Sequence, residues 1–197
     1  MPTLPIKLVI FDVDDTIMYS DQDHSITEFH KKFQALDPKD ESGAPMRVVD
    51  SPRKVQVLIK NLRPVLQHLK SKGVTMTLGS MGPQWQIKRF LDAFQIAPYF
   101  DFEIAAYDRQ DKGEKVQTII EHYNARVLAT EDPITIAEQK LYLQNEEVMF
   151  VDDNLGYLGA VDTTCPGVKV VWAHYRGEDG FLEFYRDIEE QYGIQFH

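Results

Sequence analysis

The sequence lacks several features that mark particular classes of protein. It has one cysteine, Cys165, in 197 residues, which excludes an internal disulfide framework and is typical of a reducing compartment. No apolar run approaches the length of a membrane span, and the apolar stretch near the N-terminus is too short for a signal peptide. We therefore expect a cytoplasmic protein with no membrane partner.

Positive charge is also scarce. The chain has 21 lysines and arginines against 31 aspartates and glutamates, which gives a formal net charge of −10. Because a nucleic acid is held by neutralising its phosphates, this balance argues against a nucleic-acid partner. An anionic substrate would have to be held by a local positive charge, such as a metal ion or a suitably placed lysine.

The apolar residues that are present predict a single domain over residues 1–197. They make up 43% of the chain, which is enough for a hydrophobic core. Continuous β-branched runs predict buried strands at 7–11, 74–79, 102–106, 147–151 and 168–172. Amphipathic segments predict helices at 64–72, 84–95, 114–124, 133–144, 155–162 and 179–191. This alternation predicts an α/β fold with a doubly wound parallel sheet.

Residues 20–56 interrupt the alternation. This stretch is polar, contains three prolines and a glycine, and has one short candidate helix at 27–36. It is too short to form a large cap domain. We expect it to fold over one end of the sheet as a flap or small lid.

Polar residues gather where the predicted strands end. The first strand leads into Asp12, Asp14, Asp15 and Thr16, the second into Ser80, and the fourth into Asp152 and Asp153. Two lysines, Lys112 and Lys115, follow the third predicted strand. Ligands of an open parallel sheet bind beyond the carboxyl ends of its strands. The set therefore predicts a site for a divalent cation such as Mg²⁺ and a phosphate group.

These motifs resemble those of the haloacid dehalogenase (HAD) superfamily. The resemblance rests on Asp12-x-Asp14-x-Thr16, Ser80, a lysine near a helix start and the Asp152-Asp153 pair, in the family's order over roughly residues 6–175. It implies a Rossmann-like core and a Mg²⁺-dependent phosphatase. The short flap, the Gly113–Lys115 element and the Asp152–Asn154 run are most similar to the capless magnesium-dependent acid phosphatases.

The resemblance also implies a role for each residue. Asp12 would be the nucleophile that forms an aspartyl-phosphate, and Asp14 would be the general acid and then the general base. Asp12, the backbone carbonyl of Asp14 and Asp152 would bind Mg²⁺, and Asp153 would support the metal from its second shell.

The phosphate-binding residues are expected to be Thr16, Ser80 and a lysine. Lys115 is preferred to Lys112, because Lys115 lies at a helix start as in the capless branch. Two residues depart from that branch: Asp15 replaces a bulky aromatic residue, and Met81, on the substrate side, replaces an arginine. The implied substrate is a phosphorylated small molecule, such as a sugar phosphate, or a phosphotyrosine-type side chain on a protein.

Other interpretations remain open at this point. The acids could form a surface turn or cap a helix. A dehalogenase would need no metal and would leave Asp14 and Asp152-Asp153 unexplained. A phospho-accepting signalling domain would place its lysine after its acids. A catalytically idle binding protein would have little use for the complete set of residues.

Overall fold

The protein is described from a computed structural model, which covers residues 5–26, 32–107, 111–139, 141–174 and 180–181, with backbone only for 137–139. The strands of this part of the chain are β1 (Leu8–Phe11), β2 (Met18–Gln22), β3 (Ala35–Lys39), β4 (Pro45–Ser51), β5 (Lys54–Leu58), β6 (Thr75–Leu78), β7 (Val148–Asp152) and β8 (Lys169–Trp172). Its α-helices are α1 (Leu62–Ser71), α2 (Gln84–Ala93), α3 (Lys112–Thr130), α4 (Pro133–Gln139) and α5 (Leu155–Thr164).

The main sheet is parallel and has the strand order β6-β1-β7-β8. All residues of its two central strands, β1 and β7, are buried, as their continuous apolar sequences predict. Alternate side chains of β1 enter different cores. Val9 and Phe11 pack with α1 and α2, whereas Leu8 and Ile10 pack with α3 and α5. Helices therefore cover both faces, and the α/β doubly wound fold is confirmed.

The flap is a second sheet. Strands β2, β5, β4 and β3 pair antiparallel in that order, over a stretch slightly longer than the predicted 20–56. Arg63 at the start of α1 ties the flap to the core, because its guanidinium pairs with the Asp40 carboxylate and also donates to the backbone oxygens of Pro45 and Phe94. This part of the chain contains no large cap domain.

One predicted strand is wrong. Residues 102–104 form bends and 105–106 are irregular, because the Asp101 carboxylate accepts a hydrogen bond from the Glu103 N–H at 3.1 Å and turns the chain away from β6. Asp101 itself stays beside β6, where its N–H donates to the oxygen of Met76 at 2.8 Å.

Three predicted helices differ from the structure or lie largely outside it. The helix expected at 133–144 is described as far as Gln139, and 141–144 are not helical. Of the candidate helix at 27–36, residues 27–31 lie outside the described residues and 35–36 belong to β3. The helix at 179–191 lies outside them except for 180–181. Among the residues described, no helix combines the length and the apolar character that crossing a bilayer requires.

Candidate active site

Three adjacent strands of the main sheet end at the same edge. Phe11 of β1 stands opposite Leu78 of β6 and Val151 of β7. Backbone hydrogen bonds continue this register, since the Asp12 N–H donates to the Val151 oxygen and the Gly79 N–H to the Phe11 oxygen, both at 2.9 Å. The acids that follow β1 and those that end β7 are therefore held side by side.

A buried lysine joins the two sets of acids. Lys112 Nζ lies 2.5 Å from Asp12 Oδ1 and 3.1 Å from Asp152 Oδ2, and it donates to the Gly79 oxygen at 2.8 Å. The lysine side chain is 1% exposed, so neither solvent nor salt screens these interactions strongly. The ring of Tyr157 lies 5.2 Å from the same ammonium.

Although the sequence favours Lys115, the structure places Lys112 at the two carboxylates. Helix α3 begins two residues earlier than predicted, because Asp111 is its N-cap and accepts a hydrogen bond from the Glu114 N–H at 2.9 Å. Lys112, the first helical residue, is thus the lysine at the carboxylates. Gly113 lets α3 approach α5, since a Cβ at this position would lie 2.3 Å from Thr164 Oγ1. Lys115 is buried one helical turn further on.

The Asp12 carboxyl has a perturbed pKa. Burial raises the pKa to about 7, the charge of Lys112 opposes this, and the charge of Asp152 adds to it. One lysine does not compensate fully for two buried carboxylates. An additional positive charge at this position would favour the ionised form of Asp12.

The acids fit a divalent cation. Carboxylate oxygens of Asp12, Asp152 and Asp153 all lie within 4.8 Å of one another. Asp152 Oδ1 accepts the Asn154 N–H at 2.8 Å, whereas the buried Asp152 Oδ2 has no hydrogen bond of good geometry in the described structure. Three hard oxygen donors and an incompletely satisfied buried carboxylate match the coordination preferences of Mg²⁺. Asp153, expected only as a supporting residue, thus joins the candidate ligands.

Asp14 occupies a different environment. It is an exposed residue and is not part of the three-carboxylate group. Partial burial of the carboxyl raises its pKa. The nearby Asp15 and Asp50 carboxylates raise the pKa further, and the charge of Lys54 lowers it. A carboxyl with a raised pKa is suited to donating a proton.

Asp15 has a structural explanation. Its backbone φ is 59°, in the left-handed region, which Asp adopts more readily than β-branched or bulky residues. Its N–H donates to the Met18 oxygen at 2.7 Å and closes the turn from β1 into β2. The acid that departs from the capless pattern therefore shapes the loop that carries Asp12 and Asp14.

The remaining predicted residues lie around this centre. Thr16 is fully buried, and its hydroxyl accepts the Asp153 N–H at 3.1 Å, so it links the two acidic loops. Ser80 Oγ is buried and accepts the Gly82 N–H at 3.0 Å. Met81 is 47% exposed. Both hydroxyls thus accept a backbone N–H within the protein, and each keeps an O–H donor that can serve a ligand.

Sequence reasoning missed the residues that the flap contributes beside Asp14. These are Ser20, Asp50, Lys54 and Gln56, which line one recess together with Asp14, Asp15 and Gln86. They come from three strands of the flap sheet, so no single local motif connects them. The sequence signal that could have revealed this surface is the alternation of polar and apolar residues in β5, which is typical of an antiparallel strand with one polar and one apolar face.

Comparison with known proteins identifies the architecture. No family model and no curated protein matches the chain. A structure of part of a Bacteroides fragilis protein, containing a phosphatase domain in complex with Mg, matches with a TM-score of 0.56 and 15% identity over 92% of this chain and 39% of that one. A candidate phosphatase from Clostridium difficile matches with a TM-score of 0.52 and 14% identity over 91% of each chain. The chain shares their fold.

A third similar structure is a HAD phosphatase from Thermococcus onnurineus, with a TM-score of 0.46 and 19% identity over 72% of this chain and 61% of that one. The two matches with a TM-score above 0.5 establish the architecture, and activity has to be argued from the side chains.

Proposed function

We propose that the protein is a Mg²⁺-dependent phosphomonoester hydrolase that acts through an aspartyl-phosphate on Asp12. The observation that supports this most strongly is the contact of Lys112 with both Asp12 and Asp152, at 2.5 and 3.1 Å, where the carboxyl ends of β1 and β7 meet. A buried cation between two carboxylates suits a site that holds an anionic group against an anionic nucleophile.

Asp12 is the proposed nucleophile. Its carboxylate attacks phosphorus and forms an acyl phosphate while the bond from phosphorus to the ester oxygen breaks. Lys112 favours the ionised form of Asp12 and offsets the negative charge of the incoming phosphate. The Ser80 hydroxyl donates to a phosphoryl oxygen. Thr16 holds the Asp12 loop against Asp153 through its hydrogen bond.

Asp14 is the proposed acid and base. In its protonated form it gives its proton to the departing ester oxygen, which leaves as an alcohol. The resulting carboxylate then takes a proton from water as that water attacks the acyl phosphate, which releases inorganic phosphate and restores both aspartates. The raised pKa of Asp14 supports the first of these steps.

Asp12, Asp152 and Asp153 are the proposed carboxylate ligands of Mg²⁺, with the Asp14 carbonyl as a further candidate. The ion would supply positive charge that polarises the phosphoryl oxygens and lowers their repulsion of Asp12. The substrates proposed from the motifs are small phosphorylated molecules or phosphotyrosine-type side chains.

Hydrolysis of an aryl phosphate tests this function. We expect turnover by the wild type with Mg²⁺, loss of turnover in EDTA, and a loss of several orders of magnitude for Asp12→Asn with Mg²⁺. Lys72→Met, at the exposed end of α1, is the matched control and should behave as the wild type. Activity that survives in Asp12→Asn would contradict the proposed nucleophile.

A further inference from the structure

A polar recess of about 550 Å³ opens beside Asp14. We call it the flap recess. The described residues that line it are all polar or charged: Asp14, Asp15, Ser20, Asp50, Lys54, Gln56 and Gln86. They come from the loop after β1, from three strands of the flap sheet and from the first turn of α2. The recess is therefore a junction between the flap and the proposed catalytic loop.

The polar groups of the flap recess are fixed by one another. Asp50 is a buried acid, and its carboxylate lies 3.2 Å from Lys54 Nζ and 3.3 Å from Lys32 Nζ. The Gln56 amide nitrogen donates to Asp50 Oδ2 and to Ser20 Oγ, both at 3.1 Å. This network orients the side chains of three flap strands before any ligand enters, which lowers the entropic cost of binding one.

One buried acceptor in the recess is unsatisfied. Gln56 is 4% exposed, and its Oε1 has no hydrogen-bond partner in the part of the chain that the structure describes. The orientation of the amide follows from its contact with Asp50, because the opposite orientation would set the amide oxygen against a carboxylate. Buried acceptors are normally paired, so this oxygen calls for a donor that the described residues do not supply.

The flap recess lies on the side where the leaving group must be. Asp14, the proposed acid, protonates the ester oxygen of the substrate and is itself part of the recess lining. The alcohol part of a phosphate ester bound at Asp12 would therefore extend along the flap residues. This inference rests on the proposed function.

We propose that the flap recess binds a hydroxyl-rich alcohol, such as a sugar or another polyol, as the leaving group of the substrate, and that Lys54 and Gln56 determine this specificity. Each hydroxyl both donates and accepts, and the recess offers acceptors on Gln56 and its carboxylates and donors on Lys54 and Gln86. A site that hydrogen-bonds substrate hydroxyls discriminates strongly against analogues that lack them, because its polar groups are then left unpaired.

The same lining disfavours the other substrate class considered from the motifs. A phosphotyrosine ring gains its binding energy by packing against apolar or aromatic faces, and none of the described residues that line the recess has such a side chain. Trp85 is exposed nearby in α2 but is not part of the lining.

Steady-state kinetics with Mg²⁺ test the proposal, using a hexose phosphate, phenyl phosphate and a phosphotyrosine peptide as probes. We expect the wild type to show a kcat/KM for the hexose phosphate at least about tenfold above the values for the two aryl esters. Lys54→Met and Gln56→Leu should each raise KM for the hexose phosphate by about tenfold and change kcat by less than about threefold. Lys72→Met is the control and should match the wild type.

A binding measurement separates recognition from turnover. In an Asp12→Asn background, calorimetry should show tighter binding of the hexose phosphate than of phenyl phosphate, and Gln56→Leu should remove that difference. Lys54 is partly exposed, so Lys54→Met should fold even if Gln56→Leu fails to fold. Circular dichroism and a melting curve of each variant show whether it is folded.

The outcomes distinguish this proposal from the proposed function. If the wild type hydrolyses aryl esters but prefers them to the hexose phosphate, the leaving-group proposal is overturned and the phosphatase remains. Variants that lower kcat equally for all three esters also overturn it, because that pattern indicates a structural role for the flap residues. If no ester is hydrolysed and no ester binds, both proposals fail.

Discussion

Replacing Asp12 by asparagine should stabilise the protein when divalent cations are removed. The neutral amide stands in for the protonated carboxyl, so the substitution removes a charge that the fold disfavours. Burial raises the pKa of Asp12 to about 7, against an ordinary value of 3.8. At 1.36 kcal/mol for each pKa unit, the ionised carboxylate lowers the free energy of unfolding by about 4 kcal/mol at pH 8.

The sign and the pH window follow from the raised pKa. The folded protein holds the proton on Asp12 more tightly than the unfolded chain does, so the wild type loses stability as the pH rises from about 4 through 7. Asp12→Asn lacks this titration. The two proteins should therefore have similar stability near pH 4, and the variant should be more stable at pH 8.

Urea denaturation in EDTA at pH 4.5, 6 and 8 measures this effect. Adding Mg²⁺ at pH 8 should then stabilise the wild type, by about 2.7 kcal/mol at a concentration one hundred times its dissociation constant, and should stabilise Asp12→Asn much less. A variant that is less stable than the wild type at pH 8 in EDTA would refute the reasoning, because it would mean that Lys112 more than compensates for the burial of Asp12.

Three further substitutions test the active-site lysine, the packing of α3 against α5 and the contact between the flap and the core. Lys112→Met should lower kcat/KM for an aryl phosphate by at least about a hundredfold, because it leaves two buried carboxylates unpaired. Lys115→Met should lower kcat/KM by less. A larger loss for Lys115→Met would indicate that Lys115 is the active-site lysine. Gly113→Ala should lower stability by about 1–3 kcal/mol in urea, since its Cβ would meet Thr164, and Thr164→Gly in the same chain should recover part of that loss. Arg63→Met should destabilise by about 2–3 kcal/mol and increase proteolysis of the flap, because the guanidinium bonds the flap to the core; unchanged proteolysis would contradict this link.

The arrangement of the acids was predictable from the sequence. Strands β1 and β7 are continuous apolar runs, and the acids follow or end them directly, so knowledge of a parallel sheet was enough to bring Asp12 and Asp152 together. The choice of lysine was not predictable in the same way. It depended on the residue at which α3 begins, and a shift of two residues in the helix start exchanges Lys115 for Lys112.

The flap was predictable as a segment but not as a sheet. Two of its strands, β2 and β3, are short and mostly polar, so their sequences carry no strong strand pattern. The loss of the strand expected at 102–106 has a different cause. The apolar run there favours a strand, but the side-chain turn at Asp101 directs the chain elsewhere.

The most direct test of the central claim is to identify the phosphorylated residue during turnover. An aryl phosphate reaction with Mg²⁺ is quenched in acid within one turnover, and the peptides are analysed by mass spectrometry. The proposed mechanism predicts a phosphoryl group on the peptide that contains Asp12, and its absence from the same peptide of Asp12→Asn. Phosphate found on another residue, or turnover with no phosphorylated peptide, would contradict the assignment of Asp12 as the nucleophile.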